Sequence, residues 1–284
     1  MIPKHSIRII PRLDIKGANL VKGIHLEGLR VLGNPEDYAF EYYRQGADEL
    51  LIQDVVASLY GRNNILEIVS KTAEQIFIPL TVGGGIRSIR DISAALHAGA
   101  DKVAINTAAL ARPLFIKEAA KEFGSSTIVV SIEAIRNESG GFLSYTDNGR
   151  EYTGVNVVDW ARKVEEMGAG EIILTSVDRD GTGVGYDIDL ISLVSKIVTI
   201  PVVAHGGAGR AQDLVDAVQA GADALCLSSM LHYSIVGRQF PRSLVSEGEG
   251  NLTFLIGNRN FSKVDKASVA DLRVQLKKNK ILCR

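Results

Sequence analysis

The strongest constraint on the fold is that this chain matches itself. Ile78-Pro79-Leu80-Thr81 laid over Ile200-Pro201-Val202-Val203 runs without a gap to Ala109 and Leu231, and 10 of 32 positions are identical. Unrelated stretches of ordinary composition would share roughly two. The identities include Gly84/Gly206, Gly85/Gly207, Asp91/Asp213 and Ala98-Gly99-Ala100-Asp101 over Ala220-Gly221-Ala222-Asp223, and the same offset of 122 pairs Gly46-Ala47 with Gly168-Ala169 and Glu49 with Glu171. Shared spacing over this much chain predicts a duplication, with halves at about 5–122 and 123–232.

Each half alternates short apolar runs with helical patterns. Strands are predicted at Ile7–Leu13, Leu50–Asp54, Ile78–Val82, Lys102–Ile105, Thr127–Ile132, Ile172–Ser176, Val202–Ala204 and Ala224–Leu227. Apolar residues at i, i+3, i+4 predict helices at Pro35–Gln45, Ile65–Gln75, Ile89–His97, Leu114–Glu122 and Val157–Met167. Eight strands with crossover helices and a twofold repeat fit a closed (β/α)8 TIM barrel with internal half-barrel duplication, one domain over 1–284. A Gly, Ser, Asn and Arg-rich insertion is expected at about 234–266 and a C-terminal helix at about 267–280.

Composition narrows the function classes. Thirty-two basic against 33 acidic residues leave a net charge of −1, which argues against nucleic acid or an anionic membrane as partner. No apolar run approaches the ~18 residues of a membrane span, and the N-terminus does not read as a secretion signal. Cys226 and Cys283 make neither a disulfide framework nor a zinc site, and the five histidines are scattered, so no metal and no cofactor are expected in a cytoplasmic protein.

In such barrels the chemistry belongs at the carboxyl ends of the strands. There the repeat places Gly83-Gly84-Gly85 in one half and Gly206-Gly207 in the other, followed on the next strand by Asn106-Thr107 and Ser228-Ser229. Glycines let backbone N–H groups close on an anion, and the small polar residues add donors. Two such sites across the mouth predict a ligand with a phosphate at each end. Between them, strand one ends at Asp14 and strand five at Glu133. Opposed carboxylates flanking a substrate suit general acid–base work. Asp180-Gly181 and Asp54 add polar groups at the mouth, and Lys22 can reach over from the first loop. At the opposite end Arg8, Glu49, Lys102 and Glu171 open strands one, two, four and six; two charges of each sign there can pair into a ring, as a satisfied floor or as a gate for a small neutral molecule.

The strings Arg8-Ile9-Ile10-Pro11, Val21-Lys22-Gly23, Leu80 through Arg87, Gly99 through Val103, Ile105-Asn106-Thr107-Ala108 and Leu174 through Thr182 together resemble the cyclase subunit of imidazole glycerol phosphate synthase, over about residues 4–233 and again near Ser268–Arg284. The resemblance implies ammonia from a glutaminase partner docked on the barrel floor as a heterodimer. It also implies a bisphosphate substrate, phosphoribulosyl-formimino-aminoimidazole-carboxamide ribotide, converted to imidazole glycerol phosphate and the aminoimidazole ribotide. By the same resemblance Asp14 and Glu133 carry catalysis. Gly85, Asn106 and Thr107 hold one phosphate, and Asp180, Gly181, Gly207, Ser228 and Ser229 the other, with Gly84 and Gly206 added by the repeat; Lys22 handles substrate; and Arg8, Glu49, Lys102 and Glu171 form the ammonia gate.

The pattern departs from the family at four points, one of them the insertion at about 234–266, which has no counterpart there. Glu133 stands for an aspartate and adds roughly 1.5 Å of reach. Arg12 replaces a small residue beside Asp14, and Gly17-Ala18-Asn19 replaces the usual Asp-Gly-Arg. These departures sustain two other readings: an ammonia-channelling partner of a sugar amidotransferase in surface-polysaccharide biosynthesis, and a non-catalytic scaffold that activates the glutaminase.

Overall fold

A computed structural model describes residues 6–57, 65–236 and 263–284. In chain order the first half holds β1 (Arg8–Lys16), β2 (Asn19–Ile24), β3 (Glu27–Gly33), α1 (Pro35–Arg44), β4 (Leu50–Asp54), α2 (Ile65–Ala73), β5 (Leu80–Gly83), α3 (Ile89–His97), β6 (Lys102–Ile105) and α4 (Thr107–Ala111). After α5 (Leu114–Phe123) come β7 (Ile128–Arg136), β8 (Phe142–Thr146), β9 (Glu151–Asn156), α6 (Val157–Glu166), β10 (Glu171–Ser176), α7 (Ile188–Ser195), β11 (Val202–His205), α8 (Ala211–Ala220), β12 (Ala224–Leu227), α9 (Ser229–Ile235) and α10 (Val269–Lys278).

Eight of these strands close a parallel barrel in the order β1-β4-β5-β6-β7-β10-β11-β12, with β12 pairing back onto β1. The repeat survives in three dimensions. Shifted by 122, α1 falls on α6, β5 on β11 and β6 on β12, and Asn34 and Asn156, each capping its helix through Oδ1, correspond.

The strand register explains where the barrel's polar groups lie. Period-two alternation sends Ile9, Leu13 and Ile15 of β1 outward into the helix-covered core and leaves Arg8, Ile10, Arg12 and Asp14 facing the lumen. Ile10 packs there with Leu51, Ala104, Val129, Ile173, Val203, Ala224 and Cys226. An apolar layer therefore separates the charged floor from the polar mouth. Asp14 sits beside Gln53 and Glu133 beside Thr175, and positions 53 and 175 are themselves 122 apart. The two acids hold equivalent places in the two halves.

The structure corrects the strand ends. Neither Asp14 nor Glu133 terminates its strand: β1 runs to Lys16 and β7 to Arg136, and each turns back as an antiparallel ladder, β2–β3 and β8–β9. These hairpins above the rim were not expected. The link from β1 to β2 is Gly17-Ala18, whereas Asn137–Gly141 joins β7 to β8, three residues longer. That is why Asp14 and Glu133 stand 119 apart rather than 122.

The predicted insertion at about 234–266 lies largely outside the described residues. The C-terminal helix α10 is capped by Ser268, whose Oγ accepts from the Asp271 N–H, and the chain end returns to the floor where Ile7 N donates to Leu282 O at 2.8 Å. No helix among the described residues is long and apolar enough to cross a membrane.

Candidate active site at the barrel mouth

Asp14 is buried, and its Oδ1 accepts from Arg12 Nε at 2.7 Å; the two side chains lie two residues apart on the lumen face of β1. Arg12 is also buried, with Nη1 3.3 Å from His205 Nδ1. Burial alone would disfavour its charge, but the neighbouring carboxylates of Asp14 and Asp180 outweigh it and hold the guanidinium protonated.

Glu133 lies across from this pair. Its carboxylate accepts the Gly149 N–H at 2.8 Å, a backbone donor on the β8–β9 turn. Burial raises its pKa to about 7, while the Gly149 N–H, Arg12 and Asn106 draw it back down. An acid poised there can give or take a proton near neutrality.

The hairpin turns meet over the mouth. His25 and Leu26 on one, and Asp147 and Asn148 on the other, adopt positive φ at positions related by the 122-residue offset. Asn148 Nδ2 donates to Leu26 O at 2.8 Å. Glu133 is thereby roofed by a segment that the second half holds against the first.

The first cradle is a cavity of about 340 Å³ lined by Gly84, Gly85, Asn106, Thr107 and Glu133, with Arg87 and Arg112 at its edge. Gly84 has φ 98°, and a Cβ on it would lie 2.3 Å from Asp54 O, so a side chain is excluded. Asn106 precedes α4 without capping it, and its buried Oδ1 has no hydrogen-bond partner among the described residues. The amides opening α4 are therefore left for a ligand. Asp54 borders the cavity, and burial raises its pKa despite the N–H groups of Val56 and Ala57.

The second cradle repeats the design in a tighter form. Gly206, Gly207, Ser228 and Ser229 line it with Lys22, Asp180, Gly181 and His205 around a cavity of about 10 Å³, room for one water. A Cβ on Gly207 would lie 2.2 Å from Gly185 O. Lys22, on β2, places Nζ 2.7 Å from Asp180 Oδ2 with both side chains 2% exposed. Although burial opposes ionisation, Lys22, with Arg12 behind it, brings the Asp180 pKa down to about 2. Ser229 Oγ is buried without a hydrogen-bond partner among the described residues. A phosphate entering here must draw Lys22 away from Asp180 or open the serine turn.

On the floor the four charges close a ring. Arg8 bonds Glu49 at 2.7 Å and also bonds Glu171, while Lys102 Nζ lies 3.1 Å from Glu49 and 3.2 Å from Glu171. The ring borders an open cavity of about 620 Å³ shared with Ser6, Thr199 and Arg284. Every residue expected at mouth and floor thus falls into one of these clusters.

Sequence reasoning left out Asn148, Gly149 and the part played by His205. A Asp147-Asn148-Gly149 turn is itself a hairpin signal. His205 stands where the repeat has Gly83, a mismatch inside an otherwise matched cradle.

Known proteins share this arrangement of sequence. The model of the family of histidine biosynthesis proteins matches residues 8–236. A Legionella pneumophila protein named imidazole glycerol phosphate synthase subunit HisF is 60% identical over 208 residues, 73% of this chain and 98% of that protein. Proteins of the same name from Bifidobacterium adolescentis and Gluconacetobacter diazotrophicus are each 48% identical, over 236 and 228 residues, covering 81% and 80% of this chain and 92% and 88% of their own lengths. With the barrel, the duplicated cradles and these identities together, the chain belongs to the HisF family of imidazole glycerol phosphate synthase subunits.

Proposed function

We propose that the chain is the cyclase subunit of imidazole glycerol phosphate synthase, a lyase of histidine biosynthesis working in the cytoplasm as a heterodimer with a glutaminase. One observation carries this reading: two glycine-built cradles flank a pair of buried acids at equivalent register positions. A bisphosphate spanning the mouth would rest its ends in the cradles and its reacting centre over Asp14 and Glu133.

In this mechanism ammonia released by the glutaminase enters past Arg8, Glu49, Lys102 and Glu171, and crosses the apolar layer as the neutral molecule. Asp14, ion-paired to Arg12, takes a proton from the nitrogen as ammonia adds to the substrate's ketone carbon, whose oxygen leaves as water. Glu133, titrating near 7, delivers a proton to the departing aminoimidazole ribotide nitrogen as the imidazole closes. Lys22 and the cradle amides fix the substrate's ends, which is where positional precision contributes most to rate.

The test is turnover of the purified chain with the bisphosphate and ammonium salt, without the partner. Formation of imidazole glycerol phosphate that is lost in Asp14→Asn supports the reading. Tight bisphosphate binding without turnover would overturn it in favour of an ammonia conduit or a glutaminase-activating scaffold.

A further inference from the structure

Five buried polar side chains link Asp14 to the second cradle. From Asp14 Oδ1 the chain of contacts runs through Arg12 Nε at 2.7 Å, from Arg12 Nη1 to His205 Nδ1 at 3.3 Å, from His205 Nε2 to Asp180 Oδ1 at 3.8 Å, and from Asp180 Oδ2 to Lys22 Nζ at 2.7 Å. The chemistry of the middle link fixes a proton. Arginine has only donors, so the His205 Nδ1 that faces it must carry a lone pair. Thr175 Oγ1, 3.1 Å from the same nitrogen, supplies a second donor. The ring's one N–H is then on Nε2, on the side of the second cradle. At 3.8 Å from Asp180 that N–H makes no full hydrogen bond there.

We propose that Arg12 is a positioning residue: it clamps Asp14 through Nε and fixes His205 as the Nε2–H tautomer, so that His205 becomes an anion donor of the second cradle and phosphate binding there tightens the hold on Asp14. The proposal rests on the roles given above to Asp14 and the cradle. Burial and the neighbouring Arg12 keep the imidazole neutral, since they push its pKa well below the ordinary histidine value. A neutral ring that donates through Nε2 becomes a better acceptor at Nδ1, so an anion on one side strengthens the Arg12 contact on the other. The repeat gives independent support. The equivalent of His205 in the first half is Gly83, so this donor belongs to one cradle only and distinguishes one phosphate from the other.

The test uses the full chain with ¹⁵N-labelled histidine, the ring signals of His205 being assigned by their loss in His205→Asn. At pH 7 Nδ1 is expected unprotonated and Nε2 protonated, and inorganic phosphate is expected to shift the Nε2–H signal. In Arg12→Ala the tautomers should mix, phosphate affinity should fall about tenfold, and kcat should drop while the KM for ammonium holds. A wild-type Nδ1–H tautomer, or phosphate that binds without moving the Nε2 signal, overturns the proposal even if Arg12→Ala fails to fold. Both wild-type measurements need no substrate, so absent turnover would count against the cyclase reading and leave this one standing.

Discussion

Replacing Glu133 by Gln separates the energetic cost of this acid from its chemical use. The substitution keeps shape and leaves an oxygen to accept the Gly149 N–H. It removes the charge that burial disfavours. In the folded chain Glu133 titrates at about 7 against an ordinary 4.5. At about 1.4 kcal/mol per pH unit of displacement, the interval is worth about 3 kcal/mol. The sign follows from which form the fold prefers. Below 4.5 the group is neutral whether folded or unfolded, and it costs nothing. Between 4.5 and 7 the unfolded chain ionises first, so the wild type loses stability as pH rises, and above 7 the loss is constant. Glu133→Gln is therefore expected to gain on the wild type between pH 5 and 8, by about 1 M in urea midpoint if m is about 3 kcal/mol/M. Unfolding can be followed through Trp160, the chain's one tryptophan, which is buried. The same variant should lose 10²–10⁴-fold in turnover through the missing proton, and wild-type kcat should fall as pH rises through about 7. Stability differences that stay parallel across pH 5–8 would refute the raised titration, and the proton-donor role with it.

Other outcomes follow from the same geometry. Lys22→Met strands the Asp180 carboxylate in a buried site; it should cost about 3–5 kcal/mol and abolish phosphate binding at the second cradle, both measurable by calorimetry. Lys102→Met opens one side of the floor ring, whose members are 6–19% exposed. A stability cost of about 1–3 kcal/mol is expected, with glutamine-dependent turnover falling more than ammonium-dependent turnover. Gly84→Ala forces a Cβ to 2.3 Å from Asp54 O at φ 98°. It should raise the KM for the bisphosphate at least tenfold while leaving circular dichroism unchanged.

The barrel was legible because its signals are redundant: each of the eight strands is a short apolar run, and the 122-residue offset checks one half against the other. The hairpins were not, because β2, β3, β8 and β9 extend the sheet beyond the closed eight-stranded barrel and give the core few residues, such as Leu20, Leu32 and Phe142. β3 and β9 alternate half-buried and exposed residues, which reads as loop. Site positions were legible where the repeat doubled them, as with Gly84/Gly206 and Gly85/Gly207. Arg12 stood out in sequence as a cation beside Asp14, and the ion pair follows from the i, i+2 spacing on one strand face. In sequence His205 is one of five scattered histidines, and one histidine at a strand end has many uses. Only its contact with Arg12, brought from 193 residues away, gives it a role.

The unequal cavities, about 340 Å³ against about 10 Å³, have a consequence for how a two-headed ligand docks. A symmetric barrel would accept such a molecule either way round, and half of all encounters would be backwards. In the proposed binding mode the roomy side would admit a phosphate with its neighbouring groups, whereas the cramped side would accept a bare terminal phosphate after Lys22 shifts. The three extra residues between β7 and β8 and the solitary His205 reinforce the same bias. The differences between the two halves give the mouth a polarity that would favour one direction of entry for the proposed ligand.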